Sequence, residues 1–309
     1  MTENRISQSV MTAAALVVAA SMLPVARAAT LDEAAAPGKN YARAEFRLWY
    51  PDGAGRIQAS VVLMPGSNGD GRSQVDDPVW QAFAVKHKLA LVGCRFTDKP
   101  HEQSFIEDYA NVSQGSGQAL LDTLAAFAAR AEHPELAAAP LLLWGMSAGG
   151  QFNYELVAWK PERVVAFVVN KGGIYYTALT SRASRNVPGM LFTGGKDLES
   201  RRTTIAGLFA VNRRAGALWA LAEEPGAAHI VGRSRDLAVI FFEDVIALRL
   251  DEQPPGSNAA PALKTLAEKT GFLGDPHSKT SRPPAPAPPR TTPPLGSPPS
   301  ASPAPGRPW

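Results

Sequence analysis

Short apolar runs alternate along the chain with longer stretches whose apolar residues recur at helical spacing. The helical stretches predict helices near residues 77–88, 106–131, 148–160, 198–214 and 234–250. The apolar runs predict strands near 43–50, 57–64, 89–96, 141–146, 164–170, 189–194 and 217–222. Alternation of this kind predicts an α/β fold in which helices cover both faces of one mostly parallel sheet.

A G-x-S-x-G pentapeptide, Gly145 to Gly149, lies where a predicted strand ends and a predicted helix begins. A sharp strand-to-helix turn forces the central serine into a strained conformation that lifts its hydroxyl clear of the sheet. Only glycine leaves room for such a turn. The placement predicts that Ser147 is a nucleophile, and the alternative is a merely structural Gly/Ser turn.

A nucleophilic serine needs a base, and the base needs an orienting acid. Asp197 follows the predicted strand that ends at Gly194, and His229 lies in the loop after the next strand. The order Ser147, Asp197, His229 is that of the α/β-hydrolases rather than of chymotrypsin-like or subtilisin-like enzymes. Over residues 43–250 the sequence therefore resembles the α/β-hydrolase superfamily, and the resemblance implies that these three residues form its triad.

The base and the acid each have alternatives. His101 is the rival base, because it lies in a loop that can border the site. Glu199 and Asp236 are rival acids, since each lies close in sequence to a member of the predicted triad. Asp197 is also well suited to cap the helix that starts near Leu198.

The glycine-rich loop Pro65–Gly71 follows another predicted strand. In the α/β-hydrolases this loop supplies a backbone N–H to the oxyanion, together with the residue after the nucleophile. By position the two donors are the N–H groups of Ser67 and Ala148. Many esterases of the superfamily have His-Gly where this loop begins with Pro-Gly, but a backbone donor does not depend on that side chain. A phosphate-binding loop is the alternative, although the Lys-Ser/Thr ending of a Walker motif is absent.

The substrate cleft is expected beyond the carboxyl ends of the strands. Phe96, Tyr175, Tyr176 and the loop Ser67–Gly71 are predicted to be its walls, and the alternative for the two tyrosines is packing within their own loop. The interval between the nucleophile and the acid is too short for a large cap domain. An open cleft of this kind suits extended or polymeric esters.

The N-terminus predicts export. Residues 1–28 combine Arg5, an apolar segment and the sequence Ala26-Arg27-Ala28, which is typical of a secretory signal cleaved after Ala28. The apolar run is too short to span a membrane. The protein is therefore expected to be secreted or periplasmic. Cys94 is the only cysteine, so no intramolecular disulfide forms, and a small buried hydrophobe is expected there.

The catalytic domain is predicted to span residues 29–278, and residues 279–309 are predicted to be a disordered tail dense in Pro, Ala and Ser. The tail has four basic residues and no acidic ones, so it accounts for the net charge of +3. Nucleic-acid binding by the domain is therefore not supported. The tail is either a contact to anionic cell-wall material or a passive spacer.

Together these features predict a secreted serine hydrolase that cleaves carboxylic esters through an acyl-enzyme. The resemblance includes polyhydroxyalkanoate depolymerase-like, feruloyl esterase-like and acetyl-xylan esterase-like enzymes, and no motif chooses among them. No metal or other cofactor is expected, because the histidines and the cysteine lack ligand spacing. A serine peptidase and a non-catalytic binding protein on the same fold are the alternatives.

Overall fold

The structure is a computed structural model that describes residues 28–103, 106–251, 261, 263–267, 273–275 and 280–282. Residues 1–27 of the predicted signal and residues 283–309 of the predicted tail lie outside the described residues. The chain divides after Leu263 into two compact units, and this division precedes the domain boundary predicted at residue 278. In the second unit the strands β9 (Leu273–Asp275) and β10 (Thr280–Arg282) pair antiparallel.

The described residues of the first unit form an eight-stranded sheet with the order β1-β2-β4-β3-β5-β6-β7-β8. Its strands are β1 (Ala28–Ala35), β2 (Arg43–Pro51), β3 (Ala59–Met64), β4 (Leu89–Thr97), β5 (Leu141–Met146), β6 (Val164–Asn170), β7 (Gly189–Gly194) and β8 (Trp219–Glu224). The pairs β1/β2 and β2/β4 are antiparallel, whereas the pairs from β4 to β8 are parallel. The mostly parallel sheet that the sequence predicts is therefore confirmed.

Helices cover both faces of this sheet. They are α1 (Pro78–His87), α2 (Ser116–Arg130), α3 (Ala148–Trp159), α4 (Arg182–Arg185), α5 (Glu199–Arg214) and α6 (Ser234–Arg249). Buried side chains of α2, α3 and α5 pack in one hydrophobic cluster, and those of α1 and α6 pack in a second cluster on the other face. Within the described residues, no helix has both the length and the apolar character needed to cross a bilayer.

Two local features differ from the sequence prediction. The helix predicted at 106–131 is preceded by two 3₁₀ turns, Asp108–Ala110 and Val112–Gln114, and α2 starts only after Gly115. Gly115 has φ of 136°, a conformation that an α-helix cannot contain. The edge strand β1 is alanine-rich and polar, so its sequence lacks the apolar alternation that marks a half-buried strand.

Cys94 lies in β4 and is fully buried, as the sequence predicts. Burial raises the pKa of its thiol far above the ordinary range. The thiol is therefore a packing group in the core.

Candidate active site

Ser147 occupies the sharp turn between β5 and α3, with φ of 53° and ψ of −120°. Its N–H donates to the carbonyl of Asn170 at 2.8 Å, which ties the turn to β6. A Cβ on Gly145 would lie 2.3 Å from the carbonyl oxygen of Gly149, and a Cβ on Gly149 would lie 2.3 Å from that of Met64. The two glycines of the pentapeptide are thus required because backbone oxygens fill the space of a side chain.

His229 connects Ser147 to Asp197 by hydrogen bonds. Its Nε2 lies 2.9 Å from Ser147 Oγ, and its Nδ1 lies 2.8 Å from Asp197 Oδ2. The carboxylate side chain is 2% exposed and the imidazole 30%. With Nδ1–H donating to the carboxylate, Nε2 is free to accept the serine proton. The structure therefore brings together the three residues that the chain order singles out.

Two further donors hold the carboxylate of Asp197. Its Oδ1 accepts the N–H of Leu198 at 2.7 Å and the guanidinium of Arg201 at 3.1 Å. Burial by itself would raise the pKa of Asp197, but the hydrogen bonds that its carboxylate accepts from His229, Leu198 and Arg201 outweigh burial. The pKa of Asp197 consequently lies below its ordinary value. The group stays ionised at neutral pH and can orient the imidazole.

A buried ion pair anchors the loop that carries His229. Glu224, the last residue of β8, pairs with Lys171 Nζ and accepts the N–H of Arg233 at 2.6 Å. The Lys171 side chain is fully buried, and its Nζ also donates to Asn170 Oδ1 at 3.0 Å. Both ends of the loop are therefore held against the carboxyl end of β6.

The two residues predicted to supply the oxyanion donors lie beside Ser147: Ser67 lines the same cleft, and Ala148 follows Ser147 in the chain. Ser67 is the second residue of a turn closed by the hydrogen bond from the Gly69 N–H to the Gly66 carbonyl at 2.9 Å. The N–H of that position takes no part in the closing bond. Ala148 is the first residue of α3, where N–H groups have no acceptor within the helix. Gly66 comes so close that its Cβ would lie 3.6 Å from the Cβ of Ser147.

A cleft of about 820 Å³ opens at Ser147 and His229. Beyond the glycine-rich loop and these two residues, its walls include Glu107, Met146, Gln151, Gly173, Ile174, Leu198, Ser200, Arg201 and Thr204. Gln151 is 4% exposed. Its Oε1 accepts the N–H groups of Gly173 at 2.9 Å and Ile174 at 3.2 Å. A buried amide therefore fixes one wall of the cleft.

None of the three aromatic residues predicted as walls lies among the described residues that line the cleft. Phe96 is 1% exposed, because the alternation of β4 turns it into the core. Tyr175 packs edge-on against Tyr154, with ring centroids 5.0 Å apart. Tyr176 is exposed beside the cleft and donates its hydroxyl to the carbonyl of Glu107 at 3.1 Å. Tyr175 thus packs its loop against α3 and does not line the cleft.

The rival base and rival acids lie outside the Ser147–His229–Asp197 chain. The imidazole of His101 lies 3.7 Å from Asp98. Glu199 is exposed at the start of α5. Asp236 pairs with Arg233 and Arg235.

Glu107, Gln151 and Arg201 line the cleft but are not among the site residues predicted from the sequence. Gln151 follows Ser147 by one helical turn, and Arg201 follows Asp197 by one turn. Side chains four positions apart lie on one face of a helix, so this spacing is the sequence signal that could have identified Gln151 and Arg201. Glu107 lies in an irregular segment before α2. The course of such a segment cannot be read from periodicity.

No protein-family model matches the sequence, and no curated protein matches it. Solved structures do match. The LpqC poly(3-hydroxybutyrate) depolymerase from Bordetella parapertussis has a TM-score of 0.53 at 19% identity, covering 74% of this chain and 92% of that chain. A ferulic acid esterase has a TM-score of 0.52 at 8% identity, covering 72% and 99%. An esterase from Rhizomucor miehei has a TM-score of 0.51 at 15% identity, covering 72% and 85%. At these identities the likeness shows a shared fold.

Proposed function

We propose that this chain, which has the α/β-hydrolase fold, is a serine hydrolase that cleaves carboxylic esters through an acyl-enzyme on Ser147. The observation that carries the proposal is the hydrogen-bonded chain from Ser147 through His229 to Asp197. The matching structures include esterases, which agrees with this chemistry. A binding protein has no need for a strained serine beside an oriented imidazole.

In the proposed reaction, His229 Nε2 takes the proton of Ser147 Oγ as this oxygen attacks the ester carbonyl carbon. The carbonyl oxygen becomes an oxyanion, which the N–H groups of Ser67 and Ala148 stabilise. Collapse of this intermediate expels the alkoxide, which receives the proton from His229, and leaves the acyl group on Ser147. Water, deprotonated by His229, then releases the carboxylic acid and restores the serine.

Esters are the proposed substrates because an alkoxide needs less help from the acid than a leaving amine does. The test compares kcat/KM for p-nitrophenyl butyrate and for the matched p-nitroanilide, with the chain that begins at residue 29. We expect the ester to react far faster than the anilide. Comparable rates on both would indicate a peptidase, and reaction with neither would indicate a binding protein.

We also infer that the chain is exported, because Arg5, the apolar segment and Ala26-Arg27-Ala28 match a secretory signal. Expression of the full chain in a bacterial host tests this directly. Intact-mass measurement of the protein outside the cytoplasm should show an N-terminus at Ala29. Protein retained in the cytoplasm with its first 28 residues would contradict export.

A further inference from the structure

Glu107 is a buried carboxylate in the cleft that also contains Ser147 and His229. The residue is 6% exposed. Its Oε2 accepts the side-chain amide of Gln151 at 3.2 Å. Among the residues that the structure describes, no cation pairs with this carboxylate and no donor occupies Oε1. The carboxylate is largely buried, and Oε1, which is not a fully buried atom without a partner, can still accept a hydrogen bond from a molecule in the cleft.

The surroundings of Glu107 are negative. Asp98 has a side chain that is only 7% exposed. Burial raises the pKa of Asp98 although the hydrogen bond from the Tyr109 N–H opposes it, and the negative charge of Glu107 adds to the rise. Arg201 is a cation that lines the same cleft, but its guanidinium binds Asp197. Among the described residues that line the cleft, Glu107 is thus the only carboxylate, and its Oε1 is an open acceptor.

We propose that Glu107 is a specificity-determining residue that accepts a hydrogen bond from a hydroxyl or ammonium group of the substrate. This inference rests on the proposed ester hydrolysis. A hydroxyl or ammonium group satisfies Oε1, and an ammonium group also offsets the buried charge. A substrate with a second carboxylate brings two like charges together in a poorly solvated place and is rejected. The favoured substrates are thus hydroxy- or amino-substituted esters.

A purely structural role of Glu107 gives a different expectation. Its hydrogen bond supports Gln151, which in turn binds the N–H groups of Gly173 and Ile174. If this support were its whole role, substitution of Glu107 would slow the hydrolysis of all esters by a similar factor. The ratio of kcat/KM between matched substrates separates the two roles.

The experiment uses the full chain and follows acid release by titration at constant pH. Methyl butyrate is compared with methyl 3-hydroxybutyrate, methyl 3-aminobutyrate and monomethyl succinate, which vary the acyl side. Propyl butyrate is compared with 2-hydroxyethyl butyrate, which varies the alcohol side. We expect the hydroxy or amino ester on one side to exceed its parent by about tenfold or more in kcat/KM, the usual effect of a hydrogen bond to a charged group. Monomethyl succinate should be slower than methyl butyrate.

Three variants test the assignment to Glu107. Glu107→Leu removes the acceptor and the charge. The ratio of kcat/KM for the hydroxy or amino ester to that for its parent ester should therefore fall to about one, while kcat/KM for methyl butyrate changes far less. Glu107→Gln has the same shape and retains an acceptor without the charge. It should keep part of the preference for the hydroxy ester and hydrolyse monomethyl succinate faster than the wild type does. This variant tests the proposal if the leucine variant does not fold. Asp108→Asn removes an exposed neighbouring charge and should leave the preference unchanged.

A wild-type protein without donor preference would overturn the inference and leave the proposed function intact. A preference that survives in both Glu107 variants would do the same. Failure of the wild type to hydrolyse any of these esters would overturn the proposed function, and the inference with it.

Discussion

His229 Nε2 lies 2.9 Å from Ser147 Oγ although 82 positions separate the two residues in the chain. Ser147 follows β5, and His229 lies in the loop after β8. Because these strands are parallel, their carboxyl ends meet at one edge of the sheet. The contact is therefore a direct consequence of the strand directions.

Ser147→Ala should abolish ester turnover and leave stability unchanged. The Ser147 hydroxyl contacts His229, and its removal deletes the proposed nucleophile without opening a core cavity. Loss of a triad serine costs about 10⁶-fold in kcat in a comparable enzyme. Ser67→Ala is the matched control, because it keeps the backbone N–H and should retain most activity. A Ser147→Ala protein with more than about a hundredth of wild-type kcat would indicate another nucleophile.

Asp197→Asn should lower kcat by about 10⁴-fold, because the imidazole loses the partner that fixes its tautomer. The variant should also be less stable in a pH-dependent way. The pKa of Asp197 is depressed in the folded protein, so its stabilising effect is complete above the ordinary value of 3.8 and is lost as pH falls through the folded pKa. Urea unfolding of both proteins should show a free-energy difference that is constant near neutrality and shrinks in acid. A difference that grows in acid would contradict this assignment.

Lys171→Met should destabilise the protein by about 3 to 5 kcal/mol, because it leaves the carboxylate of Glu224 without its buried counter-charge. Release of the His229 loop should also lower kcat. The double variant Lys171→Met/Glu224→Gln should recover part of the stability, since glutamine is neutral and still accepts the N–H of Arg233. Equal stability of Lys171→Met and the wild type in urea would show that the ion pair is not an anchor.

Gly149→Ala should destabilise the protein strongly. Its new Cβ would lie 2.3 Å from the carbonyl oxygen of Met64, so either the turn or β3 must move. Gly207→Ala is the matched control in α5, because no atom lies within 4 Å of its Cβ and alanine favours a helix by up to about 1 kcal/mol. Thermal melting should lower Tm for the first variant and leave or raise it for the second. A similar Tm for both would contradict the steric explanation.

The order of residues after successive parallel strands was enough to predict that Ser147, Asp197 and His229 meet. The rule works because each residue follows a strand end and all these ends share an edge. The side walls of the cleft were less predictable. The Phe96 side chain lies in the core because of the side-chain alternation along β4. Glu107 lies in the cleft, but it belongs to an irregular segment whose sequence has no periodicity. Strand order therefore predicts which backbone positions reach the site, whereas the wall residues depend on side-chain direction and loop course.

The proposed mechanism requires a covalent bond to Ser147, and fluorophosphonate labelling detects the formation of such a bond. The chain from residue 29 is treated with the probe, digested, and mapped by mass spectrometry. One adduct is predicted, on Ser147, and it should disappear in Ser147→Ala and form more slowly in His229→Ala, which lacks the base. An adduct on another residue, or no adduct on a folded protein, would contradict an acyl-enzyme on Ser147.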